Sequence, residues 1–271
     1  MAQALEERQI KGLDRPWGDR PRFEDTNRRV RVVFADINIA DSKRVKLLLE
    51  PMKLGIYYFP LEDVRSDALR KSGDRLWDVV VGDRAAERAV WEREDFPGYV
   101  AFKWDLMDRW FEEDDEVFVH PRDPYHRVDV LNSSRHVKVV LGGVVVAETD
   151  RPRLLLETNL PTRYYIPKLD VRMELLTPTD LQTRCPYKGE ASYWTVSVNG
   201  QEFKNIVWSY PSPIPEIPKI ENLLCFYNEK VDAIYVDDEL QPKPKSPWSY
   251  DGSRPCCSCR LRLSSRWPLV A

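Results

Sequence analysis

The segment between residues 185 and 193 combines side chains that thiol chemistry uses. Cys185 is followed by Pro186, Lys188, Glu190 and Tyr193. A thiol reacts as its thiolate, which a nearby ammonium group stabilises. A turn imposed by Pro186 would bring Lys188 close to Cys185, with Glu190 or Tyr193 as a proton partner. The pattern predicts Cys185 and Lys188 as catalytic and Tyr193 as a ligand contact. The alternative is a buried cysteine at a turn, with Lys188 in solvent.

A tyrosine pair upstream offers a polar rim for the same site. Tyr164 and Tyr165 stand on a predicted strand, where consecutive side chains point to opposite faces, so at most one of them faces a given pocket. Asp170 and Arg172 follow on the next element. We therefore expect Tyr165, Arg172, Tyr164 and Asp170 as ligand-binding candidates. The alternative is that both tyrosines pack in a sheet, and that Asp170 and its counterpart Asp63 cap short helices.

Histidine and cysteine spacing predicts no metal site, and no cofactor is expected. None of the three histidines pairs with an acidic residue at helical spacing, which favours structural or solvent roles for His120, His126 and His136. The cysteines at 256–259 lack the histidine or second cysteine pair that a tetrahedral zinc site needs. The acidic run Glu112–Glu116 is interpreted as a solvated loop end.

Composition limits the class of protein. The 271 residues are 42% hydrophobic and 31% charged, with a formal net charge of -3. This balance predicts a folded core and does not favour a nucleic-acid partner. No apolar stretch approaches the roughly 18 residues of a membrane helix, and the first residues do not resemble a secretory signal. Five cysteines, an odd number at low density, argue against a disulfide framework, so a cytoplasmic location is expected.

The chain contains an internal duplication. Residues 30–44 align with 137–151 without a gap, and the match continues through Leu47–Glu50 over Leu154–Glu157 and Tyr57–Tyr58 over Tyr164–Tyr165. Roughly 36 positions align with about 15 identities, which indicates two copies of one globular unit. The second copy is longer by about ten residues between Arg172 and Trp194, and this excess contains Cys185 and Lys188. If one copy is active, the second is therefore favoured.

Most of the predicted elements are strands. Short β-branched and aromatic runs end at turn residues, and Gly142–Gly143 and Asn199–Gly200 are hairpin signals. Short helices are predicted over 61–70, from near Leu169, and over 103–111. We expect a mainly β protein of two tandem small antiparallel domains with few short helices. The expected boundaries are an N-terminal arm 1–24, a first domain 25–120, a connector 121–129, a second domain 130–248 and a disordered tail 249–271.

Three segments resemble a known family. Tyr164–Arg172, Cys185–Trp194 and Val119–Val130 are similar to the domain of unknown function 427 family, over about residues 25–248, and the third looks like the joint of its two-copy members. The resemblance implies a tent-type fold of two antiparallel sheets packed at an angle. Other tent-type folds use cysteines in zinc binding or thiol redox catalysis, which adds weight to Cys185. A nucleotidyltransferase-like label is attached to the family, but Asp251–Ser253 is followed by no carboxylate pair that could hold catalytic metal.

Two functions remain open from the sequence. One is small-molecule handling in a pocket of the second repeat, with Cys185 and Lys188 at its centre. The alternative is a non-catalytic β scaffold or protein-interaction module. The oligomeric state is not predicted.

Overall fold

The computed structural model describes residues 21–50, 53–246 and 249, which form two compact units. Among the described residues, unit 1 contains those up to 128 together with 157–159 and 184–189, and unit 2 contains the others. The described residues hold strands and short 3₁₀ turns, so the predicted mainly β class is confirmed. None of the helices among them is long and apolar enough to cross a membrane. Most of the predicted tail, residues 250–271, and most of the predicted N-terminal arm, residues 1–20, lie outside the described residues.

Repeat one forms a seven-stranded and a four-stranded antiparallel sheet. Their orders are β1-β4-β5-β9-β8-β7-β6 and β11-β10-β2-β3. The strands are β1 Arg22–Asp25, β2 Val30–Phe34, β3 Ile37–Ser42, β4 Lys46–Leu49, β5 Ile56–Pro60, β6 Leu69–Gly73, β7 Leu76–Val81, β8 Arg84–Glu92, β9 Tyr99–Phe102, β10 Arg109–Glu112 and β11 Asp115–Glu116.

Repeat two repeats this plan strand for strand. Its sheets have the orders β12-β15-β16-β20-β19-β18-β17 and β14-β13-β21-β22. The strands are β12 Val128–Asn132, β13 Val137–Leu141, β14 Val144–Thr149, β15 Arg153–Glu157, β16 Arg163–Ile166, β17 Leu176–Cys185, β18 Gly189–Val198, β19 Gln201–Pro213, β20 Leu224–Phe226, β21 Ala233–Val236 and β22 Glu239–Leu240. The tyrosine doublets occupy the equivalent strands β5 and β16, so the predicted duplication is confirmed.

Each repeat buries one apolar core between the facing sides of its two sheets. In repeat one, Val32 and Trp110 from the small sheet pack with Tyr57 and Phe59 from the large sheet. Strand alternation makes this possible, because Tyr57 points into this core while Tyr58 packs on the opposite face of the sheet. Repeat two has a core at the equivalent place, which includes Tyr164.

The hairpin turns form where their residues allow left-handed backbone. Gly142 and Gly143 have φ of 59° and 75°, and they join β13 to β14. Asn199 and Gly200 lie between β18 and β19 and have φ of 49° and 73°. A two-residue hairpin turn of type I′ requires positive φ at both positions. A Cβ at Gly142 would also lie 2.6 Å from Val198 Cγ1. Both the positive φ and this close approach therefore require glycine at position 142.

The predicted helices are wrong in extent. Residues 61–70 form two 3₁₀ turns, Leu61–Asp63 and Ser66–Ala68, and residues 103–111 form one, Trp104–Leu106, before β10. The equivalents in repeat two are Lys168–Asp170 and Met173–Leu175, and a sixth turn is Pro218–Ile220. Helical spacing is overridden by sheet pairing, because Val64 bridges Ala40 and residues 109–112 pair with β2.

The predicted capping role of the two aspartates is also wrong. The turns at Asp63 and Asp170 have no side-chain cap hydrogen bond. Asp63 instead accepts a 2.5 Å hydrogen bond from Ser42 Oγ, and Asp170 accepts one of 2.7 Å from Thr149 Oγ1. A hydroxyl at the end of the neighbouring strand, and an arginine two residues after it, therefore hold the carboxylate that the sequence assigned to a helix end.

Candidate functional site

The extra residues of the second copy lengthen one hairpin. Strands β17 and β18 have ten residues each, against five and six in their counterparts β6 and β7. Pro186 lies in the turn between them, and Lys188 N donates to Cys185 O at 3.3 Å. The turn that Pro186 predicts is therefore present. Residues 184–189 belong to unit 1.

Lys188 reaches a buried carboxylate. Its Nζ donates to both oxygens of Glu157, at 2.6 and 2.5 Å, and these two side chains are 12% and 6% exposed. His126 Nε2 lies 3.0 Å from Glu157 Oε1. Glu157 ends strand β15, and His126 comes from the predicted connector. We call these three residues and Tyr187 the His126 centre, all within unit 1.

The His126 centre holds Glu157 as an anion. Burial alone would raise the pKa of this carboxyl, but the charge of Lys188 and the hydrogen bonds from His126 and Lys188 lower the pKa to about 2. An ionised carboxylate facing an imidazole nitrogen favours the tautomer with a proton on that nitrogen. With Nε2 as donor, Nδ1 of His126 becomes the basic nitrogen of the ring.

Tyr187 holds the imidazole from the side. Its ring stacks on His126 with centroids 4.2 Å apart and 28° between the planes. Its hydroxyl accepts a 2.7 Å hydrogen bond from the amide of Asp123, whose carbonyl accepts from the amide of His126 at 3.1 Å. Burial raises the pKa of Tyr187, so the hydroxyl stays protonated. Ring and backbone together fix the orientation of His126.

A second carboxylate, that of Glu112, is connected to the His126 centre through the backbone of Arg122 and Asp123. Glu112 Oε1 accepts from the Tyr57 hydroxyl at 2.7 Å and from the Arg122 amide at 3.1 Å, while Arg28 Nη1 lies 3.0 Å from Oε2. Glu112 is 7% exposed, so the prediction that 112–116 is wholly a solvated loop end is wrong at this residue. The amides of Arg122 and Asp123 are consecutive and connect the two polar centres.

Cys185 is a half-buried free thiol at the end of β17. The sequence predicted that Lys188 would stabilise the thiolate of Cys185, but Lys188 forms an ion pair with Glu157. Glu157 and His126 were missed as candidates. A usable signal existed for Glu157, since it ends an apolar run that both copies share. Its counterpart Glu50 pairs with Lys53 and Arg93 instead.

Tyr165 and Tyr193 lie in unit 2, near a different buried ion pair. Trp208 Nε1 donates to the Tyr165 hydroxyl at 3.1 Å, and Trp208 and Tyr227 have ring centroids 4.6 Å apart. The Tyr193 hydroxyl lies 2.8 Å from Thr183 Oγ1. Burial raises the pKa of Tyr227, and the electrostatic effect of Tyr193 and a hydrogen bond with its side chain raise this pKa further. Two ring contacts and one hydrogen bond therefore connect Tyr165 to Tyr193 through Trp208 and Tyr227.

The ion pair beside these aromatics is Arg163 with Glu229. Two parallel hydrogen bonds of 2.7 Å join the guanidinium to the carboxylate, and the side chains are 6% and 0% exposed. Burial alone would raise the pKa of Glu229, but the hydrogen bonds and charge of Arg163, with a bond from Ser246, keep it below its usual value. We call Arg163, Glu229, Trp208 and Tyr227 the Arg163 centre.

The remaining candidates lie elsewhere in unit 2. Tyr164 is in the core, and exposed Arg172 donates to Glu174 at 2.8 Å. Asp170 lines an open notch of about 310 Å³ with Thr149 and Arg151, the equivalent of a notch of about 560 Å³ in repeat one. The predicted site residues are thus not brought together: Lys188 belongs to the His126 centre, Tyr165 contacts the Arg163 centre and Asp170 lines this notch. No group of three or more metal-ligating side chains occurs among the described residues.

Comparison with known proteins identifies one family. The family model described as Domain of unknown function (DUF427) matches residues 22–113 and 129–237. The matched segments correspond to the two repeats, which confirms the resemblance found in the motifs. No curated protein matches the chain.

Proposed function

Since the chain belongs to the domain of unknown function 427 family in two copies, we propose that it handles a small polar molecule at the His126 centre. One observation carries the proposal: the Glu157 carboxylate is buried, ionised, and held between an ammonium and an imidazole. Carboxylates shifted in this way by specific charge partners are concentrated at functional sites. The segment that supplies Lys188 and Tyr187 is the excess of the second copy.

The roles follow from ordinary acid–base chemistry. Glu157 orients His126 through Nε2, which makes Nδ1 a base for a ligand proton or for the thiol of Cys185. Cys185 is two residues from Tyr187, whose ring covers the imidazole. A thiolate formed in this way would attack an electrophilic carbon of the ligand and displace a leaving group, to which His126 would then return the proton. Lys188 would keep Glu157 ionised and so maintain this orientation of the imidazole.

Stability alone does not explain why Glu157 and Lys188 are buried as an ion pair. Buried ion pairs are costly to desolvate, and apolar side chains of similar volume often give equal or greater stability. The proposal needs no metal or cofactor. It also retains the cytoplasm as the compartment, because Cys185 is a free thiol, which is typical of reducing surroundings.

Alkylation of Cys185 tests the base. The rate of its reaction with iodoacetamide at neutral pH is followed by mass spectrometry, in a chain whose cysteines at 256–259 are replaced by serine. We expect His126→Asn to lower the rate at least tenfold, within the usual range for loss of a general base. His136→Asn is the matched control, because His136 lies 2.9 Å from Glu148 in an exposed pair. Equal rates in His126→Asn and wild type contradict the proposal.

A ligand screen by thermal shift tests the binding function. A compound that binds only the folded protein raises its melting midpoint. We expect such a compound to lose its effect in Lys188→Met and to keep it in Lys204→Met, which changes an exposed lysine. A compound that acts equally on both variants binds outside the His126 centre.

The alternative is a non-catalytic β module. It is favoured by the Arg163 centre and the notches, where the charged side chains pair with one another. If neither alkylation nor ligand binding depends on the His126 centre, this alternative replaces the proposal.

A further inference from the structure

The segments that follow the last strand of each repeat begin with the same backbone hydrogen bond. After the last short strand of repeat one, Val117 N donates to Trp110 O at 2.8 Å; after that of repeat two, Gln241 N donates to Ile234 O at 2.8 Å. Trp110 and Ile234 lie on the equivalent strands β10 and β21. The two following segments therefore start from the same place on the fold.

Each exit segment is then fixed to a buried carboxylate, but by different groups. In repeat one, the backbone amide of Arg122 donates to Glu112. In repeat two, the side chain of Ser246 donates to Glu229 Oε1. Ser246 is 9% exposed, whereas Lys243 and Lys245 just before it are exposed. Beyond the backbone bond of Gln241, residues 241–246 are therefore attached through a side-chain hydroxyl, and we call this segment the strap.

The fold does not require the ion pair to which the strap is attached. Ile56, two residues before Tyr58, is the counterpart of Arg163, which stands two residues before Tyr165. Ile56 packs with apolar neighbours on the same sheet face. The strap also lies beyond the part of the chain that matches the family, which ends at residue 237. The charged pair and the strap thus occur together in repeat two.

We propose that residues 241–246 form a releasable strap that closes the Arg163 centre, with the Ser246–Glu229 hydrogen bond as its latch. Release would expose the Arg163–Glu229 pair and leave Glu229 without one of its donors. Loss of a hydrogen bond to a charged group changes an equilibrium by roughly tenfold to a hundredfold. In repeat one a change of side chain cannot remove the corresponding bond, because a backbone amide donates it.

Trypsin cleavage tests the latch on the full chain. The Lys245–Ser246 bond is the reporter, because Lys243 precedes Pro244 and is a poor site. We expect Ser246→Ala to raise the rate of this cut at least tenfold, since cleavage requires the strap to leave the surface. Ser246→Thr keeps the hydroxyl and should cleave at the wild-type rate, as should the exposed-serine control Ser212→Ala. A wild-type rate in Ser246→Ala overturns the proposal.

Cys225 tests whether the strap closes the centre. Its side chain is fully buried, and it pairs with Tyr165 and Trp208 in the sheet. In Ser246→Ala, alkylation of Cys225 should accelerate along with the tryptic cut, while Cys185 keeps its wild-type rate. If the cut accelerates and Cys225 stays inert, the strap does not close this centre and the proposal fails. Either result leaves the proposed function of the His126 centre unaffected.

Discussion

The two repeats place different chemistry on the same face of the same sheet. In repeat one, the face opposite the core is aromatic, with Phe23 and Phe96 stacked 3.9 Å apart near Tyr58. In repeat two, the equivalent face carries the Arg163–Glu229 pair beside Tyr165. Both tyrosines keep an edge-on contact with an equivalent tryptophan, at 6.5 and 6.3 Å.

Inside the cores the difference is reversed, because repeat one has the buried carboxylate and repeat two has an apolar residue in its place. Tyr57 donates to Glu112 in repeat one, whereas the residue at the position of Glu112 in repeat two is Val236, beside Tyr164. Strand order and register are thus common to both copies, while each copy has its own buried charges. The fold tolerates either filling, so the shared strand order does not require these charges. Four sets of substitutions test this difference.

The largest effect is expected from breaking the Arg163 centre. Arg163→Met leaves the Glu229 carboxylate buried without its guanidinium, which should cost about 3–5 kcal/mol in the free energy of unfolding. Urea unfolding measures this cost. The double variant Arg163→Met, Glu229→Leu should recover most of it, because repeat one has an apolar residue at the position of Arg163. A cost below about 1 kcal/mol for the single variant would mean that the pair is effectively solvated.

Glu157→Gln should destabilise the protein in a pH-dependent way. Because the pKa of Glu157 is lowered from 4.5 to about 2, its ionised form stabilises the fold above pH 4.5, and this contribution is lost as the pH falls towards 2. The difference from wild type should be a few kcal/mol at pH 7 and shrink over that range. Glu148→Gln, in the exposed pair with His136, should change stability by less than about 0.5 kcal/mol. A difference that does not vary with pH contradicts the account of Glu157.

The tyrosine doublets allow a matched comparison of moderate size. Tyr57→Phe removes the hydroxyl that donates to Glu112 and should cost about 1.5–3 kcal/mol. Tyr164→Phe, at the equivalent position in repeat two, should cost less than about 0.5 kcal/mol, since Val236 replaces the carboxylate. Urea unfolding of the two variants gives both values. Equal costs would show that the repeats do not differ at this point.

The smallest effect should be the same in both repeats. Ser42 and Thr149 donate to Asp63 and Asp170 in equivalent notches. Ser42→Ala and Thr149→Val should each cost about 1 kcal/mol, and the double variant should show the sum within about 0.5 kcal/mol. Clearly unequal costs would give one notch a role that the other lacks.

Local patterns predicted the hairpins and part of the site. Asn199–Gly200 and Gly142–Gly143 specify their turns through backbone preferences that act within a few residues. Pro186 likewise indicated the turn that carries Lys188. The partner of Lys188 was not predictable, because Glu157 lies 31 residues away and joins it only when the sheet has formed. The failed helices have the same cause, since Val64 takes a strand partner from β3.

By itself, the sequence determined that one antiparallel β unit occurs twice, because alternation, turn residues and the aligned repeats are properties of neighbouring positions. Only the tertiary structure decided which ionisable groups become buried together. Identical strand orders bring Glu112 to a tyrosine in one repeat and Glu229 to an arginine in the other. The energy of such pairs depends on burial and on distances of a few ångströms between residues far apart in the chain.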